Sequence, residues 1–438
     1  MVRKPATLAE LSNIFRPEAL TEEEYDLYQP TAAVRGGMQD EFHMYLYERI
    51  KSSRDKAHLL VVGHSGCGKS TELRMLALRL GKDGVPSITI DAQEDLDLNT
   101  FSFIDLFILV VERLVQYANA NRLNINKGIL TAFYMALSTR TTREYWEKEL
   151  GASLESGASV SVSVPLFIQV VSKITASFKV GSGQREDLRR EIKPKMAEII
   201  NAVNALIDQI NCQVAQDGHS GKILIVVDGL EKCRSENAKQ LFSEDIGSLA
   251  AINTHLVVAC PINIYRSAIA ATLQGYFPKP DLMPLIKTRT PDSADSPYRK
   301  GIGIIKELVL KRADASFFQK GVLSKIIAMA GGNLRDTLYL LENSAFEAHM
   351  RRRDTIDMAS AEFAMNQFAT DLFFRTDNNY HKLINSIYNG DQRPRADKDM
   401  SELLFAGIVF EYNGERWIDL HPLIRRFIDR NPGVLILE

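Results

Sequence analysis

The chain has 438 residues, which is enough for two or three domains, each with its own hydrophobic core. Its 53 Lys and Arg residues nearly balance its 55 Asp and Glu residues, which argues against a strong, sequence-independent attraction to nucleic acid or anionic lipid. No signal-peptide core or membrane-spanning run is evident, so we expect a cytoplasmic protein with no membrane association. The four cysteines, at positions 67, 212, 233 and 260, have no metal-ligand spacing, and we expect reduced thiols.

Four short apolar runs predict the strands of a parallel β-sheet. Each run has the length of a strand, and the stretches between them show the spacing of amphipathic helices. Strands that alternate with helices at these distances indicate the α/β fold class. The predicted strands are residues 58–62, 87–90, 223–227 and 255–259. Predicted helices lie at residues 37–52, 69–80 and 101–120, after a polar N-terminal segment at 1–35.

Residues 140–185 break this pattern. Residues 159–164 alternate serine with valine, and residues 175–180 alternate again after an apolar stretch. Because a period of two is typical of strands, we predict an inserted β-ribbon over about residues 140–185, followed by a long helix at 185–213. Two interpretations are open: the ribbon is a docking surface for a partner or a neighbouring subunit, or it packs on its own core.

The second half of the chain predicts two further units. Residues 278–300 carry five prolines and are predicted to be loop. Helical spacing then returns at residues 302–312, 319–330, 334–350 and 358–369. The predicted domains are an N-terminal segment at 1–35, an α/β core at 36–300 that includes the insertion, a helical lid at 301–370 and a separate small domain at 371–438.

A complete phosphate-binding loop (P-loop) lies between the first strand and the helix after it. Its glycines allow successive backbone N–H groups to turn toward phosphate oxygens, and the following helix adds its positive end. Lys69 can reach the β- and γ-phosphates, and the Ser70 hydroxyl can hold Mg²⁺. The predicted ATP-binding residues of this segment are Gly63, His64, Ser65, Gly66, Cys67, Gly68, Lys69, Ser70 and Thr71.

A second motif is the apolar strand that ends in Asp228. A carboxylate at this place can hold Mg²⁺ opposite Ser70, so these two residues are the predicted metal ligands. The next residue is Gly229, and not the Glu that many ATPases place there. Glu231 is the nearest acid, which predicts either that it polarises the attacking water or that it is a solvated acid at a helix start.

Polar residues after the fourth strand and in the lid complete the predicted site. Asn263 is predicted either to sense the γ-phosphate or to be a turn residue at the strand end. Asn333 can cap a helix whose first turn contains Arg335. Because helix N-termini disfavour positive charge, Arg335 is predicted to contact a nucleotide phosphate. Arg266 and Arg289 are candidates to act on a neighbouring subunit's nucleotide, or they are ordinary surface arginines.

Together these motifs resemble those of prokaryotic AAA+/STAND-type ATPases, which are related to the origin-recognition and NACHT-like clades. The resemblance covers roughly residues 35–435 and rests on residues 64–73, 228–231, 331–335 and 421–425. It implies an ATPase core, a helical lid in which Arg335 is the sensor-2 arginine, and a C-terminal winged-helix domain. In the STAND pattern a glycine after the strand-end Asp is common, with an acid two residues later, and Glu231 fits that pattern. Members often form nucleotide-dependent oligomers and act as signalling switches, including in anti-phage defence.

Residues 371–438 also predict a winged helix from their own pattern. Helices at 378–388 and 398–405 precede a hairpin whose strands, 409–412 and 416–420, are joined by an Asn-Gly turn. The region has nine Lys and Arg against eleven Asp and Glu, whereas a DNA-binding winged helix presents a basic face. A protein-interaction or lid-regulating role is therefore favoured over DNA binding.

The leading hypothesis is an oligomerising ATPase switch, in which ATP and Mg²⁺ bind between core and lid and slow hydrolysis resets the closed state. Its predicted catalytic residues are Lys69, Asp228, Glu231 and Arg335. We expect a homo-oligomer and a protein partner or effector, whereas nucleic acid is not the favoured partner. The alternative is a DNA-binding ATPase of the replication-initiation or transposition type that uses its winged helix. A third hypothesis is a scaffold that binds ATP and hydrolyses little.

Overall fold

The computed structural model of the protein centres on a five-stranded sheet. Its strands are β1 His58–Gly63, β2 Ser87–Asp91, β3 Leu224–Asp228, β4 His255–Pro261 and β5 Asp281–Leu282. They have the order β2-β3-β4-β1-β5, and every neighbouring pair is parallel. The predicted α/β fold class and the four predicted strands are confirmed. The structure describes residues 4–36, 38–143, 147, 163–179, 183–216, 222–233, 235–290, 293–393, 396–412 and 417–435.

The central strands of the sheet are buried along almost their whole length. Every residue of β3 and β4 is buried, as is all of β1 after His58. Parallel sheets have helices on both faces, so their central strands need continuous apolar sequence. The register sets Gly63 opposite Pro261 and Asp91 opposite Asp228, at the carboxyl edge of the sheet. Ligands of open α/β sheets bind at this edge.

The segment predicted to be loop at 278–300 contains short strands. β5 pairs with β1 through two residues, Asp281 and Leu282, at the edge of the sheet. β6 Arg289–Thr290 and β7 Ser293–Pro297 form a small antiparallel pair. Proline is tolerated at sheet edges and strand ends, so a proline-rich segment can still contain short strands.

Helices flank the strands and include those predicted at 37–52, 69–80 and 101–120. The longest of these, Phe103–Ala120, begins at a capping box formed by Ser102 and Asp105. Helices before the insertion are Leu8–Ile14, Phe42–Lys51, Lys69–Lys82, Ala92–Asp95, Phe103–Ala120 and Lys127–Leu137. Helices between β3 and β5 are Ser235–Gln240, Ile246–Ala250, Ile262–Tyr265 and Ala270–Tyr276.

The inserted region is helical where the structure describes it, so the β-ribbon predicted over 140–185 is wrong there. Helices run over Val164–Lys179 and Gly183–Ile192, and the first includes most of the alternation at 175–180. The alternation at 159–164 lies almost entirely outside the described residues. The first helix packs on Phe103–Ala120 through a face with helical spacing. That face consists of Phe167, Val170, Val171, Ile174 and Phe178.

The single long helix predicted at 185–213 is interrupted at Pro194. A 3-10 turn, Lys193–Lys195, separates the helix Gly183–Ile192 from the helix Met196–Gln216. Proline has no backbone N–H to continue a helical ladder and its ring clashes with the preceding turn, which explains the break.

The lid helices agree with their predicted positions. They are Arg299–Arg312, Val322–Met329, Leu334–Met350 and Met358–Phe373. The C-terminal residues form the helices His381–Tyr388, Lys398–Ala406 and Pro422–Arg430 and the antiparallel hairpin of β8 Val409–Tyr412 and β9 Trp417–Leu420. The predicted Asn-Gly turn between β8 and β9 lies outside the described residues.

Residues 371–438 share their hydrophobic core with the rest of the chain. Ile384 and Leu404 belong to the cluster that covers the sheet, and Leu423 belongs to the cluster of the lid. Phe410 and Trp417 belong to a third cluster, around the P-loop helix. The C-terminal region is therefore packed onto the core and lid rather than detached from them. Among the residues that the structure describes, no helix has the length and apolar character of a membrane span.

Candidate functional site

The P-loop follows β1 and requires glycine for its shape. Gly66 has a φ of +83°, which L-residues with a side chain rarely adopt. A Cβ there would lie 2.2 Å from Oδ1 of Asn333 and 2.6 Å from Cβ of Arg335, so the loop is also in close contact with the lid. The helix Lys69–Lys82 starts at the end of the loop. The predicted P-loop residues therefore form one continuous cradle at the carboxyl edge of the sheet.

Lys69 is buried in this cradle and is held by backbone carbonyls. Its Nζ donates to the carbonyl oxygens of Gly63 at 3.2 Å and His64 at 3.0 Å. The same nitrogen lies 3.8 Å from Oε1 of Glu231. Burial alone would lower the pKa of Lys69, but the carboxylates of Glu231 and Asp228 raise it above its ordinary value. Lys69 is therefore a charged amine, loosely paired, at the position where a phosphate would bind.

Asp228 and Glu231 form a buried acidic pair beside Lys69. Burial and the charge of Glu231 raise the pKa of Asp228, against a lowering effect of the Ser70 hydroxyl. Burial alone would raise the pKa of Glu231, but the charge of Lys69 lowers it below its ordinary value. Oδ1 of Asp228 and Oε2 of Glu231 are buried and have no hydrogen-bond partner. Buried polar atoms are seldom left in this state, so both oxygens are available to a ligand.

The residue after Asp228 is a glycine because a side chain does not fit there. Its φ is +82°, and a Cβ would lie 2.9 Å from Oδ1 of Asp91 and 3.1 Å from the backbone nitrogen of Gln93. A glutamate at this place would be strained and would clash with the end of β2. A short 3-10 turn, Leu230–Lys232, then carries Glu231 back toward Lys69.

Asn263 lies on the short helix that follows β4. Only 1% of it is exposed, and neither its Nδ2 nor its Oδ1 has a hydrogen-bond partner. Its backbone carbonyl accepts a hydrogen bond of 3.1 Å from the Ser401 hydroxyl of the C-terminal region. A buried amide with both ends unpaired is uncommon, but Asn263 is not among the residues that line the cavity at the P-loop, so both interpretations of it stay predictions.

The lid contacts the P-loop through the start of the helix Leu334–Met350. Asn333 caps this helix by accepting from the backbone nitrogens of Arg335 and Asp336. Nδ2 of Asn333 donates to the Ser65 carbonyl at 2.9 Å, and Nη1 of Arg335 donates to the Ser65 hydroxyl. The Gly66 carbonyl accepts from the backbone nitrogens of Leu334 at 3.1 Å and Arg335 at 3.3 Å. Arg335 thus lies at the phosphate cradle, where its sequence position predicted it.

The N-terminal segment covers the other side of the cradle, which sequence reasoning missed. Arg35 is buried, and its Nη2 donates to the carbonyl of Cys67 at 2.8 Å. The Tyr28 hydroxyl donates to Oε1 of Glu72 in the P-loop helix at 2.8 Å. Glu72 also accepts from the backbone nitrogen of His43 at 2.8 Å. These partners are separated by 29 to 44 positions, so no local spacing in the sequence marks them.

A cavity lies between the N-terminal segment, the P-loop and the lid. One part of its wall is polar and includes Lys69, Ser70, Thr71, Glu231 and Arg335. Another part is apolar and contains leucines from three segments of the chain. These are Leu20, Leu27, Leu308, Leu334 and Leu338. A polar phosphate cradle next to an apolar wall has the chemistry of a nucleotide pocket.

The P-loop is also joined to the C-terminal hairpin. His64 is buried, and its Nε2 accepts a hydrogen bond of 2.9 Å from the backbone nitrogen of Glu411 in β8. Burial and the charges of Lys69 and Arg266 lower the pKa of His64 to about 3, so its ring is neutral and can accept. The Tyr412 hydroxyl donates to the carbonyl of Gly331 in the lid at 2.7 Å. One strand, β8, therefore touches both sides of the cradle.

Arg266 and Arg289 also contact the hairpin. Nε of Arg266 donates to Oε2 of Glu411 at 2.6 Å. Nη2 of Arg289 lies 3.0 Å from Oδ2 of Asp419 and donates to the Leu420 carbonyl at 2.6 Å. Both side chains are used within the chain, which argues against either as the arginine that acts on a neighbouring nucleotide.

Comparison with protein families agrees with this geometry. Residues 40–244 match the model of the KAP family P-loop domain. The chain therefore contains a P-loop NTPase domain. The match begins just before the helix Phe42–Lys51 and ends after Glu231, so it includes both phosphate-site motifs. The sequence resemblance is confirmed at the level of a P-loop NTPase, whereas the STAND type stays a prediction. A search of curated proteins found no significant match.

Three solved structures similar to this P-loop NTPase share little sequence identity with it. The ORC2 protein of Aeropyrum pernix, in ADPNP–ADP complexes, has 12% identity and a TM-score of 0.42, with 95% of this chain and 96% of that chain covered. Cdc6p of Pyrobaculum aerophilum has 12% identity and a TM-score of 0.41, with 96% and 97% covered. The RuvB Holliday junction branch migration motor of Thermotoga maritima has 12% identity and a TM-score of 0.36, with 95% and 98% covered. These likenesses are too distant to assign an activity or an assembly to this chain.

Proposed function

We propose that this protein is an ATP-binding and ATP-hydrolysing switch whose nucleotide state controls its C-terminal region and its assembly. The observation that carries the proposal is the meeting of four groups in one buried site. Lys69 and Glu231 face each other at 3.8 Å, Asp228 leaves one oxygen unpaired, and Arg335 reaches the same loop from the lid. Phosphoryl transfer to water needs this combination of positioned cations and acids.

The residues divide into binding and chemical roles. Lys69 and the P-loop amides bind the β- and γ-phosphates, and Arg335 binds phosphate from the lid side. Glu231, ionised beside Lys69, orients and deprotonates the attacking water. Asn263 is a second polar contact near the γ-phosphate. The free oxygen of Asp228 and the nearby Ser70 hydroxyl have the hard oxygen chemistry that suits Mg²⁺, which when bound supplies charge neutralisation for the phosphates.

The contacts of β8 support coupling between the nucleotide and the C-terminal region. Lys69 now donates to the His64 carbonyl, and the His64 ring accepts from Glu411. When Lys69 turns toward a phosphate, it gives up its bonds to the loop that β8 holds. The lid side is linked in the same way through Tyr412 and Gly331. ATP and ADP contact these groups differently, and that difference in free energy is what a switch requires.

The alternative, a DNA-binding ATPase, is less well supported. Every residue of β8 and β9 is buried, as are Met400, Ser401, Leu403 and Leu404 of the helix predicted to resemble a recognition helix. The Ser401 hydroxyl is bonded to the core, and Lys239 of the core pairs with Glu402 at 2.9 Å. The elements with which a winged helix contacts DNA are therefore packed against the ATPase core. Release of the C-terminal region would have to precede DNA binding.

Homo-oligomerisation, a protein effector and a role in anti-phage defence remain hypotheses drawn from the sequence resemblance. Particle size with and without ATP and Mg²⁺ tests the first of them. A nucleotide-dependent increase in mass supports an assembling switch, and an unchanged mass contradicts it. Salt-dependent binding of duplex DNA by the purified protein in the presence of ATP would favour the alternative.

The decisive experiment compares wild type with Glu231→Gln and Lys69→Ala. Glu231→Gln is expected to lower ATP turnover by about 10²- to 10⁴-fold, the range of general-base catalysis, and to retain ATP binding. Lys69→Ala is expected to lose ATP binding itself. Turnover that is equal in wild type and Glu231→Gln would contradict the role of Glu231. Binding without turnover in wild type would support the scaffold hypothesis instead.

A further inference from the structure

Arg312 is a buried cation in the nucleotide cavity with few partners. It ends the first lid helix, Arg299–Arg312, and only 8% of it is exposed. Its Nη1 donates to the carbonyl of Leu308 at 2.9 Å. Among the described residues no carboxylate forms a salt bridge with it, and Glu24 acts on it only through a weaker, longer-range attraction. Burial lowers the pKa of Arg312 to about 10.

This arrangement is energetically unfavourable in the free protein. A guanidinium has five N–H donors and no acceptor, and removing it from water without acceptors costs free energy. Two other cations of the cavity have more partners: Lys69 has two carbonyls and Glu231, and Arg35 has carbonyl and hydroxyl partners. A cation at a helix C-terminus is favourable, which explains the bond to Leu308. It does not explain why Arg312 lines the cavity.

The position of Arg312 indicates which part of a nucleotide it would meet. Leu308 and Arg312 are four residues apart on one helix and therefore lie on the same face. Leu308 belongs to the leucine wall, whereas the P-loop residues form the polar part of the cavity. If the phosphates of a nucleotide bind in the P-loop, the leucine wall is the apolar surface that can bury the faces of its base. Arg312, on the same helix face as Leu308, would then be next to that base.

We propose that Arg312 donates hydrogen bonds to the acceptor edge of the nucleobase and so determines base preference. The proposal rests on the nucleotide-binding function proposed above. Guanine presents the neighbouring acceptors O6 and N7, which a guanidinium binds in a bidentate manner. Adenine presents N7 beside an amino group that is itself a donor. Arg312 therefore favours guanine nucleotides over adenine nucleotides, relative to the same pocket without it.

The experiment measures displacement of a fluorescent ADP, with Mg²⁺ present, by ATP, GTP and inorganic tripolyphosphate. Tripolyphosphate has the phosphates but no base. Arg312→Met is expected to weaken GTP binding by about 10-fold or more, the range of one bidentate contact, and ATP binding by less. It is expected to leave tripolyphosphate binding unchanged. Equal weakening of all three competitors would place Arg312 on the phosphates and overturn the proposal, as would no change in any of them.

Matched variants keep the result interpretable. Arg299→Met removes an exposed arginine from the start of the same helix and is expected to change none of the three affinities. Arg312→Lys keeps the charge but loses the planar fork, so it is expected to lose the preference for GTP while folding normally. If Arg312→Met does not fold, this variant decides, and an unchanged ratio of GTP to ATP affinity overturns the proposal. Lys69→Ala separates the two proposals, because it is expected to weaken all three competitors.

Discussion

The nucleotide site and the C-terminal hairpin are both rich in buried charge, but their carboxylates are satisfied differently. In the hairpin, both oxygens of Glu411 bind Arg266, and the two oxygens of Asp419 bind Arg425 and Arg289. At the nucleotide site, Asp228 and Glu231 each leave one buried oxygen without a partner. A carboxylate with partners on both oxygens holds the surrounding side chains in one arrangement, whereas a carboxylate with an unpaired buried oxygen can still bind a ligand. The carboxylates of the hairpin are therefore structural, whereas those of the nucleotide site are free to bind a ligand.

The largest expected effect is a loss of stability when the ion pairs of the hairpin are broken. Asp419→Ala leaves Arg289 and Arg425 without their shared carboxylate, and breaking such a buried pair costs about 3–5 kcal/mol of unfolding free energy. Denaturant unfolding monitored by tryptophan fluorescence measures it. Asp187→Ala removes an exposed pair with Arg190 and is the matched control, expected to change little. A loss below about 1 kcal/mol in Asp419→Ala would remove the distinction drawn above.

His64 lies in the P-loop and is hydrogen-bonded to the hairpin, and replacing it is expected to have an effect of intermediate size on stability. Its pKa is about 3 in the folded protein, against an ordinary value near 6.5, so the unfolded chain binds one more proton between these values. The stability due to neutral His64 is present above pH 6.5 and is lost as the pH falls toward 3. His64→Gln keeps an acceptor for the Glu411 N–H but cannot be protonated. As the pH falls, its unfolding free energy is expected to decrease less steeply than that of wild type, and the two slopes should differ by about 1.4 kcal/mol per pH unit.

Unfolding curves between pH 6.5 and 4 measure this slope. His349→Gln, an exposed substitution on a lid helix, is the comparison variant. An identical slope in wild type and His64→Gln would contradict a buried neutral ring at position 64.

The smallest expected effect is a gain in stability at the nucleotide site. The raised pKa of Asp228 means that its ionised form is disfavoured in the folded protein. Asp228→Asn is therefore expected to raise unfolding free energy at pH 7 without nucleotide, on the order of 1 kcal/mol, and to abolish Mg²⁺-dependent turnover. The gain should shrink as the pH falls, because wild-type Asp228 then becomes protonated. A variant less stable than wild type at pH 7 would show that Asp228 is a structural residue.

The features that could be predicted from the sequence are those formed by residues close together in the chain. The P-loop, the strand that ends in Asp228 and the lid helices are continuous patterns, and the structure has them where they were expected. The insertion contains two competing patterns, the alternation at 175–180 and the helical spacing from Phe167 to Phe178, and the helical spacing is the one that matches the structure. Serine and threonine between apolar residues are compatible with the two-residue period of a strand and with the 3.6-residue period of a helix. The helix forms because its apolar face packs against Phe103–Ala120.

The surroundings of the site could not be predicted in the same way. Arg35 meets Cys67 across 32 positions, and Glu411 meets His64 across 347. Such contacts depend on the folded arrangement of whole segments and have no local periodicity. Glu231 was located by its spacing from Asp228, but its distance to Lys69 is a property of the fold.

The bond between Glu411 and His64 has a consequence for how this chain tolerates mutation. Its donor is a main-chain N–H, so nineteen of the twenty standard residues at position 411 would still supply it, and proline alone would not. Its acceptor is a side chain in a loop whose glycines, lysine and serine are constrained by phosphate binding, while the residue type at position 64 is not. On the C-terminal side this bond therefore depends on the backbone of β8 and not on the side chain at 411, whereas on the other side it depends on the residue type at position 64. Relatives with a residue at 64 that cannot accept a hydrogen bond would keep the phosphate cradle and lose this connection.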